Sequence, residues 1–150
     1  MTKQVKFKRT AENADLPLPT YATAGAAAMD LRACLPSGPV IAEPGKLVML
    51  SIGFCIELPL GTEMQIRARS GMALKKQLMI PNAPGTIDSD YRGEVKVGLY
   101  NYGSEPVTLN HGDRIAQAVV ADVLQVTAVE VDVLSDTDRG AGGFGSTGTA

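Results

Sequence analysis

Apolar residues along this chain come in short runs with a period of two, separated by turn signals, and that pattern predicts a protein of β-strands. Val5 to Lys8 opens the series, and Ala14 to Tyr21 is an irregular, polar and Pro-rich connection. Ala24 to Leu35 runs to a turn at Pro36 to Pro39, followed by Val40 to Glu43 and a turn at Pro44-Gly45. Lys46 to Glu57 is long enough for a pair of apolar strands, and Leu58 to Gly61 turns the chain into Thr62 to Ala68, whose side chains alternate inward and outward. Only Ser70 to Lys76, SGMALKK, has the composition of a short helix.

The stretch Pro81 to Glu94, PNAPGTIDSDYRGE, combines Asn82, Asp88, Asp90, Tyr91 and Arg92 between two prolines and two glycines, then enters VKVGLY. Pro84-Gly85 suits a tight turn, while Ile87, Tyr91, Val95, Val97 and Leu99 recur at odd spacing, so a β-hairpin with its tip toward a ligand is expected. Beyond it lie Val95 to Asn101, a turn at Tyr102 to Glu105, Val107 to Leu109, a turn at Asn110 to Asp113, and Arg114 to Val133, two strands' worth of residues. Breaks at this spacing indicate a jelly roll, sandwich or barrel.

After Leu134 the pattern stops. SDTDRGAGGFGSTGTA carries five glycines, three threonines and two serines with one aromatic, Phe144, and one cation, Arg139, so it cannot form core. Taken alone it reads as a frayed terminus. It reads equally as an arm that orders over a nucleotide, with glycine N–H groups, hydroxyls and a guanidinium for phosphate and a flat ring for a base. The chain therefore divides into a β domain over 1–134 and a flexible arm over 135–150 that closes on an active site.

Composition narrows the partners. With 20% charged residues and a net charge of -2, the chain lacks the basic footprint of a duplex binder, which argues against a nucleic-acid partner but not against a nucleotide pocket. The basic N-terminus is followed by no apolar h-region, and no window nears eighteen apolar residues, so neither export nor a membrane is expected and the location is cytoplasmic. Cys34 and Cys55 form no CxxC pair and read as small core residues in a reducing compartment.

Several polar clusters carry possible chemistry. Arg69-Ser70-Gly71 sits where a strand meets the helix, so Ser70 is a cap, a phosphate donor or both, and Arg69 can fork onto phosphate oxygens. Asp30 interrupts an apolar strand and either approaches a hydrated cation or pairs at the surface with Arg32 or another cation. Asp113 and Arg114 read as surface partners entering a strand, and Gln117 is an amide among Ile115, Ala116, Ala118 and Val119. His111, the single histidine, sits in an exposed Asn-His-Gly turn, which leaves no basis for a zinc deaminase or a Ser-His-acid triad. No GxxxxGK[ST] loop is present.

Five stretches, AAAMDLRA (26–33), RSGMALK (69–75), NAPGTIDSDYRGEV (82–95), GDRIAQ (112–117) and RGAGGFGSTG (139–148), occur in that order. Together they resemble the signature segments of the all-β trimeric dUTP diphosphatases (dUTPases). The resemblance implies a jelly-roll-like, distorted β-barrel subunit with one short helix, assembled as a homotrimer with active sites shared between subunits. It implies Mg²⁺-dependent hydrolysis of dUTP to dUMP and pyrophosphate by water attack on the α-phosphorus, which limits uracil in DNA and supplies dUMP for dTMP synthesis.

Residue by residue, Asp88 matches the acid that primes the water and meets the sugar 3′-hydroxyl, and Tyr91 the ring against the deoxyribose. Asn82 and the backbone of Gly85, Thr86 and Ile87 match the uracil reader. Arg69, Ser70 and Gly71 match the phosphate segment, Ser70 at the scissile region, and Gln117 the amide near the α-phosphate and water. Asp30 matches an acid on the water shell of a metal held mainly by the triphosphate. Arg139, Phe144, Gly145, Ser146 and Thr147 match the arm's contacts. Asp90 is then assigned to holding the turn through Arg92. The related dCTP deaminases share the fold, but the TIDSDYRGE segment and the RGAGGFGSTG arm favour the diphosphatase. Ala28 and Gln77 stand where glycines are common, which costs roughly 1 to 2 kcal/mol wherever φ must be positive.

Overall fold

The computed structural model describes residues 3–143, and within them the chain forms ten strands. These are β1 (Lys6–Arg9), β2 (Met29–Arg32), β3 (Val40–Ala42), β4 (Leu47–Glu57), β5 (Thr62–Arg67), β6 (Leu78–Met79), β7 (Gly85–Ile87), β8 (Glu94–Asn101), β9 (Val107–Leu109) and β10 (Arg114–Asp122). One sheet has the order β1-β4-β8-β6, a second the order β2-β10-β5-β7, and β3 pairs with β9 alone. All pairings are antiparallel. The buried side chains of both four-stranded sheets form one cluster, giving the all-β, jelly-roll-like architecture expected.

The period-two pattern is what builds this core. Thr62, Met64 and Ile66 of β5 and Val95, Val97 and Leu99 of β8 are buried while their neighbours are not. Phe54, Leu31, Leu50, Ile52, Leu78, Leu109 and Ile115 are at most 2% exposed, and each such side chain contributes about 1.5–3 kcal/mol on leaving water. Asn101 is fully buried but satisfied: it donates to the carbonyls of Ala42 at 2.7 Å and Glu105 at 2.8 Å, and accepts from the Gly103 N–H at 2.9 Å.

Four expected elements differ. Lys46 to Glu57 is one strand, not a pair, because the break at Gly53 is a bulge: Gly53 has φ +73°, and the register against β8 slips between Ser51 and Cys55. A Cβ at Gly53 would lie 2.7 Å from that of Asn13, whose Nδ2 donates to the Gly53 carbonyl at 2.9 Å.

Pro81 to Glu94 is not a hairpin. Its tight turn falls at Ile80–Ala83, closed by the Ala83 N–H onto the Ile80 carbonyl at 3.0 Å, and Gly85 is already in β7. β7 pairs with β5, whereas β8 pairs with β4 and β6, so residues 88–93 carry the chain from one sheet to the other.

The helix is a single π turn, Gly71–Lys75, buried only through Met72, and it ends before Gln77 at φ +53°. Of the two glycine replacements, Gln77 does occupy a left-handed position; Ala28 does not.

The run Arg114 to Val133 yields one strand. β10 is already flanked by β2 and β5, so the sheet leaves no free edge beside it for residues 123–133 to pair with. Val123, Leu124, Val126, Val129, Val131, Val133 and Leu134 are consequently all exposed.

Cys34 is buried, Cys55 half-buried, and both are free thiols. Burial, with lesser contributions from Glu94, Asp15 and Glu12, pushes the Cys34 thiol above its usual range, which makes it a poor nucleophile and suits the core role expected of it. No helix among the described residues is long and apolar enough to cross a membrane.

Candidate active site

The polar residues singled out in the sequence fall into two groups. The first gathers where β2, β5 and β10 run side by side, with Gln117 opposite both Asp30 and Arg67. Arg69, just past β5, places Nε 2.8 Å from Asp30 Oδ1 and donates from Nη1 to the Arg114 carbonyl at 3.1 Å. Arg114 Nη1 donates to the other carboxylate oxygen of Asp30 at 3.0 Å. Gln117 Nε2 donates to the Ala68 carbonyl at 3.0 Å, which fixes its side chain beside Arg69 and leaves the amide oxygen for a ligand.

Asp30 thus pairs with cations other than Arg32, which instead donates to the Gly112 carbonyl at 2.7 Å. Asp113 does not partner Arg114 either: its Oδ2 accepts from the Asn110 N–H at 2.9 Å inside the turn. Ser70 is helical at φ -54° with no side-chain capping bond, so its exposed hydroxyl does not cap the turn.

The second group lies along β7 and the crossover. Asn82, Gly85, Thr86 and Ile87 line a groove of about 340 Å³ with Ile66, Ile80 and Lys96, a size suited to part of a small ligand. Gly85 lies close against this groove's wall: a Cβ would sit 3.2 Å from Asn82 Nδ2, a tight contact, and 3.5 Å from Ile66. Asp88 is exposed, and among the described residues its carboxylate has no hydrogen-bond partner. Tyr91 donates to the Glu94 carbonyl at 2.9 Å, and its ring closes over Gly93. Arg92 holds the crossover by donating to the carbonyls of Ser89 at 2.8 Å and Tyr91 at 2.9 Å, so the turn is fastened through backbone and not through Asp90.

The two groups do not meet within one chain. Ile87 pairs with Met64, and Arg69 is five residues further along, about 16 Å of extended backbone. The register thus sets Asp88 toward the start of β5 and Arg69 just past its end.

His111 is tied into the fold and is not a loose turn residue: Nδ1 accepts from the Leu35 N–H at 3.0 Å and Nε2 lies 2.9 Å from Asp15. Among the described residues, no three His, Cys, Asp or Glu side chains are grouped to hold a metal ion. Arg139 falls in the exposed segment after β10, its Nε donating to the Gly142 carbonyl at 2.7 Å. Phe144, Gly145, Ser146 and Thr147 lie outside the described residues.

The dUTPase family model matches residues 14–148. This chain belongs to the dUTPase family. It is 55% identical over 145 residues to the deoxyuridine 5′-triphosphate nucleotidohydrolase of Caulobacter vibrioides, covering 96% of this chain and 94% of that protein. The Desulfotalea psychrophila protein of the same name is 53% identical over 150 residues, covering 99% of both. Among solved structures, the Streptococcus mutans dUTPase superposes with a TM-score of 0.73 at 25% identity over 81% of this chain and 98% of that one. The Staphylococcus bacteriophage 80alpha dUTPase with dUPNHPP gives 0.82 at 21% identity over 99% and 100%, a likeness of fold.

Within this dUTPase-family chain, Arg114 is one of the residues that sequence reading placed wrongly. It belongs to the Asp30–Arg69 cluster, and the available signal was its position inside the GDRIAQ segment, directly before a strand that pairs with the one bearing Asp30.

Proposed function

We propose that the chain is a dUTP diphosphatase that hydrolyses dUTP to dUMP and pyrophosphate, water attacking the α-phosphorus, at sites shared between the subunits of a homotrimer. The activity rests on the family match over 14–148 and on relatives above half identity along nearly the whole chain. The shared site rests on one observation, the separation of Asp88 from Arg69 and Gln117 along β5. One subunit then offers Asn82 to Tyr91, and a neighbour offers Arg69 to Gly71 and Gln117.

In this reading Asn82 and the Gly85–Ile87 backbone select uracil, Tyr91 packs on the deoxyribose, and Asp88 orients and deprotonates the water. The untied Ser70 hydroxyl donates to the α-phosphate, where fixed donors stabilise developing charge, and the free amide oxygen of Gln117 accepts from the water. Bound Mg²⁺ would neutralise charge on the phosphates. The residues fit an ion carried by the triphosphate, since no protein cage competes for it among the described residues and Asp30 is a carboxylate in contact with Arg69 of the phosphate-binding segment. Residues 135–150 act as an arm, bringing Arg139, Phe144, Gly145, Ser146 and Thr147 to the substrate. The seven exposed apolar side chains between Val123 and Leu134 support the assembly, because a subunit surface of that kind calls for a neighbour to cover it. A cytoplasmic location suits the two free thiols.

The test is pyrophosphate release from dUTP, UTP, dCTP and dTTP, with and without Mg²⁺. Rapid release from dUTP alone, dependent on the metal, is expected. Ammonia release from dCTP with the triphosphate intact would place the chain with the deaminases.

A further inference from the structure

β4 and β8 fall out of step at Gly53. Ser51 stands opposite Lys96, but the next pair is Cys55 opposite Glu94, so Ile52, Gly53 and Phe54 face Val95 alone and the regular ladder is interrupted there. A side chain closes the gap. Ser51 Oγ accepts from the Gly53 N–H at 2.7 Å and donates to Glu94 Oε1 at 2.5 Å, while Lys96 Nζ lies 3.7 Å from Glu94 Oε2. Glu94 and Lys96 are two residues apart on one face of β8, and Ser51 meets Glu94 on the diagonal at which cross-strand side chains touch. With 27% of its side chain exposed, Glu94 is largely out of water, and the charge-assisted bond from Ser51 compensates its carboxylate.

Glu94 is also where the crossover ends. The Tyr91 hydroxyl donates to the Glu94 carbonyl at 2.9 Å. Among the described residues, the Tyr91 N–H and the Arg92 side chain bond only to carbonyls inside the crossover, those of Asp88 at 3.2 Å, Ser89 at 2.8 Å and Tyr91 at 2.9 Å. The Tyr91 hydroxyl is therefore the fastening that ties the ring to β8. What fixes its acceptor, besides the one pair with Cys55 beyond the bulge, is the bond between Ser51 and Glu94.

We propose that Ser51 and Glu94 are positioning residues for sugar selection: their bond sets the Glu94 carbonyl, the carbonyl sets the Tyr91 ring, and the ring sets the room that a ribose 2′-hydroxyl finds. This rests on the diphosphatase reading, with Tyr91 against the deoxyribose. Both residues act through Tyr91 and neither touches the substrate. A bond that served only to close the bulge would contribute to stability and leave the choice between nucleotides alone, which separates the two roles.

The experiment is steady-state pyrophosphate release from dUTP and from UTP, in Mg²⁺, by the full-length wild type, Glu94→Ala, Glu94→Gln, Ser51→Ala and the double variant Ser51→Ala with Glu94→Ala. In both single alanine variants kcat/KM for UTP is expected to rise while that for dUTP changes little, so that the preference for dUTP narrows about 10-fold. The double variant is expected to narrow it no further than either change alone, because both cut one bond. Glu94→Gln, whose amide oxygen still accepts from Ser51, keeps most of the preference. An unchanged preference in the alanine variants would overturn the proposal even if their denaturation midpoints fell. An equal fall in kcat/KM for dUTP and UTP would also overturn it, by showing damage to the fold. Should Glu94→Ala fail to fold, Ser51→Ala decides, since it cuts the same bond from β4. A wild type that releases no pyrophosphate from dUTP would instead remove the diphosphatase reading itself, and the proposal with it.

Discussion

Tyr91 is held by two contacts that the sequence could not show together, a hydrogen bond from its hydroxyl to the Glu94 carbonyl at 2.9 Å and the bare backbone of Gly93 beneath its ring. A Cβ at Gly93 would lie 2.4 Å from the Tyr91 hydroxyl oxygen, closer than van der Waals contact allows. The ring must therefore move if Gly93 acquires a side chain. Gly93→Ala is expected to narrow the preference for dUTP over UTP about 10-fold, a loss of some 1.4 kcal/mol in discrimination, while the protein stays folded because the site is exposed. Steady-state kcat/KM for the two nucleotides checks this; an unchanged ratio would mean that Tyr91 does not test the sugar. Asp88 was singled out from sequence among the carboxylates of the TIDSDYRGE segment, and the structure shows it exposed. Arg114 was less legible, because its partner Asp30 is 84 residues away and only the β2–β10 register brings them together.

Among the elements, strands with clean alternation were read almost to the residue, as β5 and β8 show. Local pattern carries that information because inward and outward faces depend only on parity. The pairing partner is a different matter. The expected hairpin at Pro81 to Glu94 is a crossover, because whether β7 joins β5 or β8 depends on the space each edge leaves, which no local period encodes. Residues 123–133 were misread for the complementary reason: their Val-rich alternation is suited to a strand, and the chain holds no edge for it beside β10. Gln77 shows where propensity is overridden. Its φ of +53° comes directly after the π turn, and its carbonyl accepts from the Tyr102 N–H at 3.0 Å, so the left-handed geometry is fixed from both sides. Gln77→Gly is expected to stabilise the protein by about 0.5–1 kcal/mol, since relief of strain outweighs the glycine's larger unfolded-state entropy. Chemical denaturation with unchanged m-value checks it; a lower midpoint would show that packing of Gln77 against Gly103 matters more.

At the scale of the whole molecule, the single chain has a complete core and an incomplete site. Its two sheets bury one continuous cluster, while the base-reading segment and the phosphate-binding segment sit toward opposite ends of β5, and a run of apolar side chains after β10 has nothing of its own to cover. The proposed closed homo-oligomer would resolve both at once, since each copy would supply what its neighbour lacks. The fold and the reaction class were legible in the sequence through five motifs spread from Ala26 to Gly148, but the separation of Asp88 from Gln117 along β5, on which the proposed sharing of sites rests, needed the strand register.

The direct measurement is activity of mixed assemblies. Asp88→Asn and Ser70→Ala are each expected to lower dUTP turnover by about 10²-fold or more as homo-oligomers, by removing the base and a phosphate donor. Denatured together in equal amounts and refolded, they should recover about a quarter of wild-type pyrophosphate release, the share of shared sites that draw an intact residue from each partner. Recovery of no activity beyond that of the two separate variants, from mixtures shown to exchange subunits, would contradict the account and place Asp88 and Ser70 in one chain's site.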